Sequence, residues 1–165
     1  MLESRILVVD DEPSMRDVLR ILLSREGYRV HTAASAEEAL LAFEADPHDL
    51  VLTDLNLPET TGLELLRSIK TRAADGERGV PVIMITAYGT AESAVEAMKA
   101  GAFDYVMKPF NNDELLLIVR RALEAQRLKA ENVRLKADLA DRYNFGTLIG
   151  SCQKMQGVYR LIQQV

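Results

Sequence analysis

The stretch RILVVDDEP, Arg5–Pro13, runs from an apolar strand pattern into an acidic pair and a proline. The run Arg5–Asp10 is apolar and rich in β-branched residues, which predicts a strand buried on both faces. Pro13 favours the first turn of a helix, because its missing N–H has no partner to lose there. A strand that passes so quickly into a helix is typical of the first half of a βαβ unit.

The same alternation continues over the first 120 residues. Further strands are predicted at Tyr28–Thr32, Leu50–Asp54, Val82–Thr86 and Phe103–Met107. Helices are predicted at Pro13–Glu26, Ala36–Ala45, Leu63–Thr71 and Ala91–Ala100, with a last one opening near Asn112. Five alternations of strand and helix predict a doubly wound α/β domain of the flavodoxin-like kind with a five-stranded parallel sheet, and folds of that kind have the strand order 2-1-3-4-5.

Short signals support the helix ends. Ser35 with Glu38 forms a capping-box pattern, and Asn112 can cap the last helix. Gly27 and Gly101 stand where helices should close.

Composition limits the function classes. The chain has 165 residues, 48% hydrophobic and 27% charged, which suits one globular domain with a short addition. The single cysteine, Cys152, cannot form a disulfide within the chain, and with only His31 and His48 no zinc-type cluster is predicted. No apolar run has the length of a membrane span and the N-terminus lacks a signal-peptide pattern, so we expect a cytoplasmic protein.

Charge is distributed unevenly along the chain. Residues 1–119 hold 11 Lys and Arg against 21 Asp and Glu, whereas residues 120–142 hold seven against four. An acidic globular part is thus followed by a basic helical segment. The acidic part repels nucleic acid, and the basic segment is too interleaved with acids to predict a nucleic-acid-binding arm.

The last helical pattern continues from Asp113 to about Arg142 without proline or glycine. A heptad frame assigns the apolar seam to Ile118, Ala125, Asn132 and Leu139 at a, with Leu128 and Leu135 at d. A lone Asn at an a position favours a parallel dimer in register. The pattern predicts a short coiled-coil dimer; because arginines at two d positions weaken the seam, a monomeric helix packed on its own domain remains the alternative.

Polar residues stand where the predicted strands end. Asp10 and Asp11 end the first strand, Asp54 the third and Thr86 the fourth, and Lys108 follows the fifth. The carboxyl ends of parallel strands share one edge of the sheet, where such folds bind ligands. Three carboxylates there would repel one another unless a cation joined them, and Mg²⁺ prefers such oxygen ligands. With Lys108 and Thr86 beside them, the set favours a phosphoryl group, and Asp54 becomes a candidate carboxylate nucleophile.

Each of these residues has an ordinary structural explanation when taken alone. An Asp pair after a strand is often a helix N-cap, and Lys-Pro is often a turn. Their occurrence at the ends of successive strand patterns favours a functional site.

Residues 4–122 resemble response-regulator receiver domains. Three segments in the family's order and spacing carry the resemblance: VVDDEPSMR (Val8–Arg16), LVLTDLNLPETTGLELL (Leu50–Leu66) and VIMITAYGTAESAVEAMKAGAFDYVMKPF (Val82–Phe110). The resemblance implies phosphorylation by a sensor histidine kinase or, in vitro, by small phosphodonors. It implies these roles: Asp54 as phosphoacceptor; Asp10, Asp11, Asp54 and the backbone carbonyl of Asn56 as Mg²⁺ ligands; Thr86, Ala87 and Lys108 as phosphoryl contacts; Thr86 and Tyr105 as switch residues.

A second resemblance is to the nitrogen-regulator (NtrC-like) class, whose AAA+ ATPase domain activates sigma-54 RNA polymerase. It rests on Ala87–Gly89 and on the tail LIGSCQKMQGVYRLIQQV, Leu148–Val165, where a GxSxxM opening has Cys152 as its third residue. It implies a receiver domain (1–122), a helical linker (123–143) and the first residues of an AAA+ domain (144–165). No GxxxxGK[ST] motif occurs, so we expect no ATPase activity from this chain; contacts with DNA and polymerase would belong to domains that it lacks.

The resemblance also implies a two-state switch. On phosphorylation Thr86 would move toward the new oxygens and Tyr105 would turn inward, remodelling the surface of the fourth helix, fifth strand and fifth helix. That face or the linker helix would form a homodimer, which phosphorylation either releases or creates.

Three other classes are weighed against this one. A magnesium-dependent phosphatase with an aspartyl-phosphate intermediate would have a second Asp two residues after the nucleophile, where this chain has Asn56. A flavin binder would have a Ser/Thr/Gly-rich loop after the first strand, where Asp11 and Glu12 would repel phosphate. A pseudo-receiver that dimerises without phosphorylation is the third.

Overall fold

The computed structural model describes residues 4–74, 79–87 and 89–150, with the side chains of 73–74 and 140–150 left out. The chain divides into two compact units, Met1–Arg127 and Leu128–Val165. The strands are β1 (Arg5–Val9), β2 (Arg29–Ala33), β3 (Leu50–Asp54), β4 (Val82–Thr86) and β5 (Asp104–Met107). The helices are α1 (Pro13–Arg25), α2 (Ala36–Ala45), α3 (Gly62–Ala74), α4 (Ala91–Lys99) and α5 (Asn112–Gly150). Among the described residues, no helix is both long and apolar enough to cross a bilayer.

The five strands form one parallel sheet in the order β2-β1-β3-β4-β5, which confirms the predicted fold class and topology. All residues of the central strands β3 and β4 are buried, as their continuous apolar patterns predict. The edge strands β2 and β5 are partly exposed. The register brings Val9 opposite Thr53, Asp54 opposite Ile85 and Thr86 opposite Met107, so the carboxyl ends of the strands are nearly level.

Helices cover both faces of the sheet. On one face, α1 and the first turns of α5 pack on Ile6, Val8 and Leu52. On the other face, α2, α3 and α4 pack on Leu7 and Val51. The two layers fix the sheet between them, and the loops at its carboxyl edge stay accessible.

The helix ends follow the predicted signals, with two corrections. Gly27 and Gly101 have φ values of +85° and +94°, the left-handed geometry that closes a helix. The Ser35 side chain accepts a hydrogen bond from the Glu38 N–H, as the capping box predicts, but Glu38 Oε2 accepts from the Ala34 N–H and not from that of Ser35. The cap of α5, however, is Asn111 rather than Asn112. Its Oδ1 accepts from the Asp113 N–H at 2.8 Å, because Asn112 already has helical geometry as the first residue of α5.

The predicted linker lies within α5. Ile118 packs partly against the core of the first unit, and Ala125 and Asn132 are exposed. In the second unit, Leu128, Leu135 and Leu139 are each more than half exposed. The expected AAA+ segment falls partly in α5, at residues 144–150, and otherwise at residues 151–165, outside the described part of the chain. The domain limits predicted at 122 and 143 therefore stay predictions.

Candidate functional site

Four strand ends bring polar side chains to one edge of the sheet. Asp10 follows β1, Asp54 ends β3, Thr86 ends β4 and Lys108 follows β5, as the sequence predicts. Asp10, Asp54 and Thr86 are 2%, 7% and 0% exposed. Buried carboxylates need partners, and these lie within the same cluster.

The Lys108 ammonium lies between two carboxylates. Its Nζ is 2.6 Å from Asp54 Oδ2 and 2.7 Å from Asp10 Oδ2, and its side chain is only 11% exposed. Three aspartates and one lysine leave a formal charge of about −2 at this edge when all are ionised. One divalent cation would neutralise it.

Burial sets the direction of the pKa shifts. Desolvation raises the pKa of Asp10, although hydrogen bonds from Lys108 and from the Glu12 N–H oppose it. Desolvation also disfavours the charged form of Lys108, but its bonds to Asp10 and Asp54 prevail and raise its pKa. The ammonium therefore stays charged at neutral pH and holds the two carboxylates together.

Both oxygens of Asp54 have protein partners. The Asn56 N–H donates to Oδ1 at 2.9 Å, and Lys108 donates to Oδ2. The Asn56 side-chain amide lies 3.5 Å from the Thr86 hydroxyl, at the long limit of a hydrogen bond. These contacts fix the carboxylate in one orientation and join it to the end of β4.

The loop after β3 depends on a glycine. The Gly62 N–H donates to the Leu55 carbonyl at 2.8 Å, and a Cβ on Gly62 would stand 2.0 Å from the Asp54 carbonyl oxygen. Any larger residue would push the start of α3 away from the end of β3. Gly62 thus sets the path of the segment that contains Asp54 and Asn56.

The acidic residues suit a metal ion. Asp10, Asp11 and Asp54 each offer an oxygen within 4.8 Å of the others, and within the described ranges they are the only such group of three. The Glu12 N–H orients Asp10 by donating to its Oδ1 at 2.9 Å. Carboxylate oxygens and an uncompensated charge near −2 fit Mg²⁺ better than a softer metal. The Asn56 carbonyl as a further ligand stays a prediction.

The other predicted residues lie nearby or at the neighbouring edge. The Lys108 N–H donates to the Thr86 carbonyl at 2.8 Å, and Ala87 is exposed directly after Thr86. Tyr105, on β5, packs partly against the core, and its hydroxyl lies 3.0 Å from Ser93 Oγ at the start of α4. Tyr88 lies outside the described residues.

Comparison with known proteins defines the family. Residues 6–120 match the response regulator receiver domain, and the chain belongs to this family. It is 40% identical over 156 residues to the Regulatory protein AtoC of Escherichia coli, covering 94% of this chain and 33% of that protein. The crystal structure of NtrX from Brucella abortus superposes with a TM-score of 0.75 at 36% identity, over 99% of this chain and 34% of that one. The crystal structure of a receiver domain from Clostridium thermocellum superposes with a TM-score of 0.69 at 34% identity, over 76% of this chain and 98% of that one.

These relatives confirm the resemblance to receiver domains of the nitrogen-regulator class. The chain spans about a third of the length of the curated relatives it matches.

Sequence reasoning missed several contacts of the site. It did not predict that Lys108 bridges Asp10 and Asp54, that Ser93 bonds Tyr105, or that Gly62 approaches the Asp54 backbone. A glycine eight residues after Asp54, at the start of a helix pattern, was the one available signal.

Proposed function

We propose that this chain is the signal receiver of a two-component system and that Asp54 accepts a phosphoryl group from a sensor histidine kinase. The supporting observation is the buried Asp54 carboxylate, held between the Asn56 N–H and Lys108 beside Asp10 and Asp11. Membership in the receiver family supports the same assignment.

The reaction is a phosphoryl transfer. A carboxylate oxygen of Asp54 attacks the phosphorus of a phosphohistidine, the P–N bond breaks, and the imidazole leaves with the electron pair and takes a proton from solvent. The product is an acyl phosphate on Asp54. Asn56 and Lys108 fix the nucleophile in one orientation, which lowers the entropic cost of the approach.

Mg²⁺ would be held by Asp10, Asp11, Asp54 and the Asn56 carbonyl, and when bound it offsets negative charge on the carboxylates and the phosphoryl oxygens. Lys108, Thr86 and the backbone of Ala87 contact the transferred group. Since Lys108 is shared between Asp10 and Asp54, it is already in place for one of the new oxygens. This reaction modifies the protein itself, so we do not class the chain as an enzyme.

The switch would run from Thr86 to Tyr105. Phosphoryl oxygens draw the Thr86 hydroxyl toward Asp54, and Tyr105 fills the space that it leaves. Because Tyr105 is bonded to Ser93, its movement changes the surface of α4, β5 and α5. We assign the chain to cytoplasmic activators of sigma-54 RNA polymerase, in which this surface or the linker controls a homodimer.

The linker dimer rests on exposed leucines in the second unit. Leu128, Leu135 and Leu139 repeat at heptad spacing and are 56%, 55% and 54% exposed. Sedimentation should show a dimer that Leu135→Ser weakens and that Ala137→Ser, a neighbouring exposed position, leaves intact. A dissociation constant indifferent to phosphorylation would refute dimer control in either direction.

Intact-mass spectrometry with Mg²⁺ and acetyl phosphate tests the phosphoacceptor. We expect one added phosphoryl group on the wild type and on Asp17→Asn, a change of an exposed aspartate on α1. Asp54→Asn and a chelator should each abolish the adduct. If the folded wild type gains no phosphoryl group from acetyl phosphate or from phosphorylated kinases, the proposal is wrong. The chain would then be better explained as a pseudo-receiver.

A further inference from the structure

The opposite edge of the sheet contains a second polar cleft. It has a volume of about 300 Å³ and is lined by Arg5, Arg29, Val30, His31, Asp46 and His48. Arg5 and Arg29 begin β1 and β2, His31 lies at the middle of β2, and His48 comes just before β3, whereas Asp54 is the last residue of β3. None of its lining residues belongs to the phosphoacceptor site.

His48 is the most confined of the lining residues. It is 5% exposed, and its Nδ1 makes no hydrogen bond of normal geometry among the described residues, although the Asp46 backbone lies close enough to favour the protonated ring. Its ring stacks on Phe43, with centroids 6.3 Å apart, and lies 5.6 Å from the ring of His31. Because buried polar atoms almost always have a partner, a buried unpaired nitrogen in the wall of an open cleft indicates a ligand position.

The charge of the cleft indicates the sign of that ligand. Two guanidinium groups and two imidazoles face one lining carboxylate, Asp46, which pairs with Arg5 at 3.4 Å. Arg29 is exposed and has no ion pair in the part of the chain that the structure describes. Burial, and next the charge of His31, lower the pKa of His48, and the nearby backbone and carboxylate of Asp46 offset this only in part, so His48 resists protonation.

We propose that this cleft binds a small phosphate ester, whose oxyanion contacts Arg5 and Arg29 and reaches the imidazoles of His31 and His48. Guanidinium groups match phosphate oxygens in geometry and charge. The volume exceeds that of phosphate alone and leaves room for a small organic group beside Val30. A cation is disfavoured, since both arginines would repel it. Phosphate ester binding here would add a second, non-covalent input to the domain.

The two histidines are the only ones in the chain, so every imidazole resonance reports on this cleft. We would titrate the full chain with inorganic phosphate and with glycerol phosphate, following the imidazole NMR signals at constant ionic strength maintained with sodium chloride. Both probes should give saturable shifts and raise the pKa of His48, with glycerol phosphate binding more tightly.

Arg29→Gln tests the assignment without disturbing the core, because Arg29 is exposed. It should weaken phosphate ester binding roughly threefold or more. Arg25→Gln removes the same charge from the exposed end of α1 and should leave binding unchanged. Unfolding curves check that both variants fold. Equal affinity in the two variants, or shifts that do not saturate, would overturn the proposal; so would Zn²⁺ moving the imidazole signals where phosphate does not.

Discussion

The Tyr105 hydroxyl lies 3.0 Å from Ser93 Oγ, and this contact joins the edge strand β5 to the first turn of α4. The same Ser93 hydroxyl accepts the Thr90 N–H at 3.0 Å, while the Ser93 N–H donates to Thr90 Oγ1 at 3.1 Å. One hydroxyl thus serves both the capping of α4 and the position of Tyr105. The start of α4 and the proposed switch residue should therefore respond together.

Ser93→Ala should lower the free energy of unfolding by about 1 kcal/mol, because it removes the hydroxyl from both contacts. Tyr105→Phe removes only the contact between strand and helix. A double-mutant cycle of the two, measured by urea unfolding, should give a coupling energy of about 0.5–1.5 kcal/mol. Additive effects would show that the contact contributes nothing.

Gly62→Ala should destabilise the protein by about 1–3 kcal/mol or more and slow phosphorylation from acetyl phosphate, since the new Cβ would meet the Asp54 carbonyl at 2.0 Å. Gly27→Ala is the matched control. Its φ is +85°, but a Cβ there would meet nothing within 4 Å, so it should cost about 1–2 kcal/mol and leave the phosphorylation rate unchanged. Equal phosphorylation rates in the two variants would contradict this role of Gly62.

Asp10→Asn should stabilise the metal-free protein at pH 7 by about 0.5–2 kcal/mol. Burial raises the pKa of Asp10 by more than its bonds with Lys108 and with the Glu12 N–H lower it, so the ionised form of Asp10 opposes folding at neutral pH. The raised pKa of Asp10 stabilises the folded protein fully at pH values below the pKa of Asp10 in the unfolded chain. This stabilisation is lost as the pH rises through the pKa of Asp10 in the folded chain. Thermal unfolding with and without Mg²⁺ measures this. The variant should have a higher unfolding temperature than the wild type without the metal, and Mg²⁺ should raise that temperature less in the variant. A metal-free variant less stable than the wild type would contradict this cost of burying the Asp10 charge.

His48 should make stability depend on pH. Its folded pKa is lowered by burial and next by the charge of His31, so the unfolded chain takes up the proton more readily. The stabilisation that follows from this shift is complete at pH values above the pKa of His48 in the unfolded chain, about 6.5. It is lost as the pH falls toward the pKa of His48 in the folded chain. His48→Phe should remove this part of the slope. Unfolding free energies between pH 7.5 and 5, in buffers without phosphate, measure it; a constant difference between wild type and variant would contradict the shift.

Much of the fold could be predicted because β1, β3 and β4 are continuous apolar runs whose ends coincide with acidic or hydroxyl residues. The limits of β3 and β4 were predicted without error, since Asp49 and Pro81 precede the two strands and Asp54 and Thr86 end them. Errors arose where local signals compete: adjacent asparagines made Asn112 look like the cap that Asn111 provides. On α1, Leu19 and Leu23 are buried but Val18 is half exposed, because the spacing of apolar residues does not define how wide the covered face of a helix is.

The membership of the site could be predicted, but its geometry could not. Strand ends place Asp10, Asp54, Thr86 and Lys108 at one edge whatever their rotamers. That Lys108 divides its ammonium between two carboxylates depends on side-chain torsions and on burial from residues far apart in sequence. The contact between the His31 and His48 rings likewise appears only when the fold brings β2 and the segment before β3 together.

The order of the strands also determines which parts of the domain exchange their amide hydrogens slowly and which exchange them fast. Asp54 and Thr86 belong to β3 and β4, which have neighbours on both sides and no exposed residue, so their amide hydrogens should exchange with solvent only when the whole domain unfolds. Tyr105 lies on β5, at the sheet margin, where brief local opening costs far less free energy. Phosphorylation would thus occur on strands whose amides exchange most slowly, while the residue that responds to it, Tyr105, lies on a strand that is more easily displaced. The response can therefore reach the surface without loosening the residues that hold Asp54.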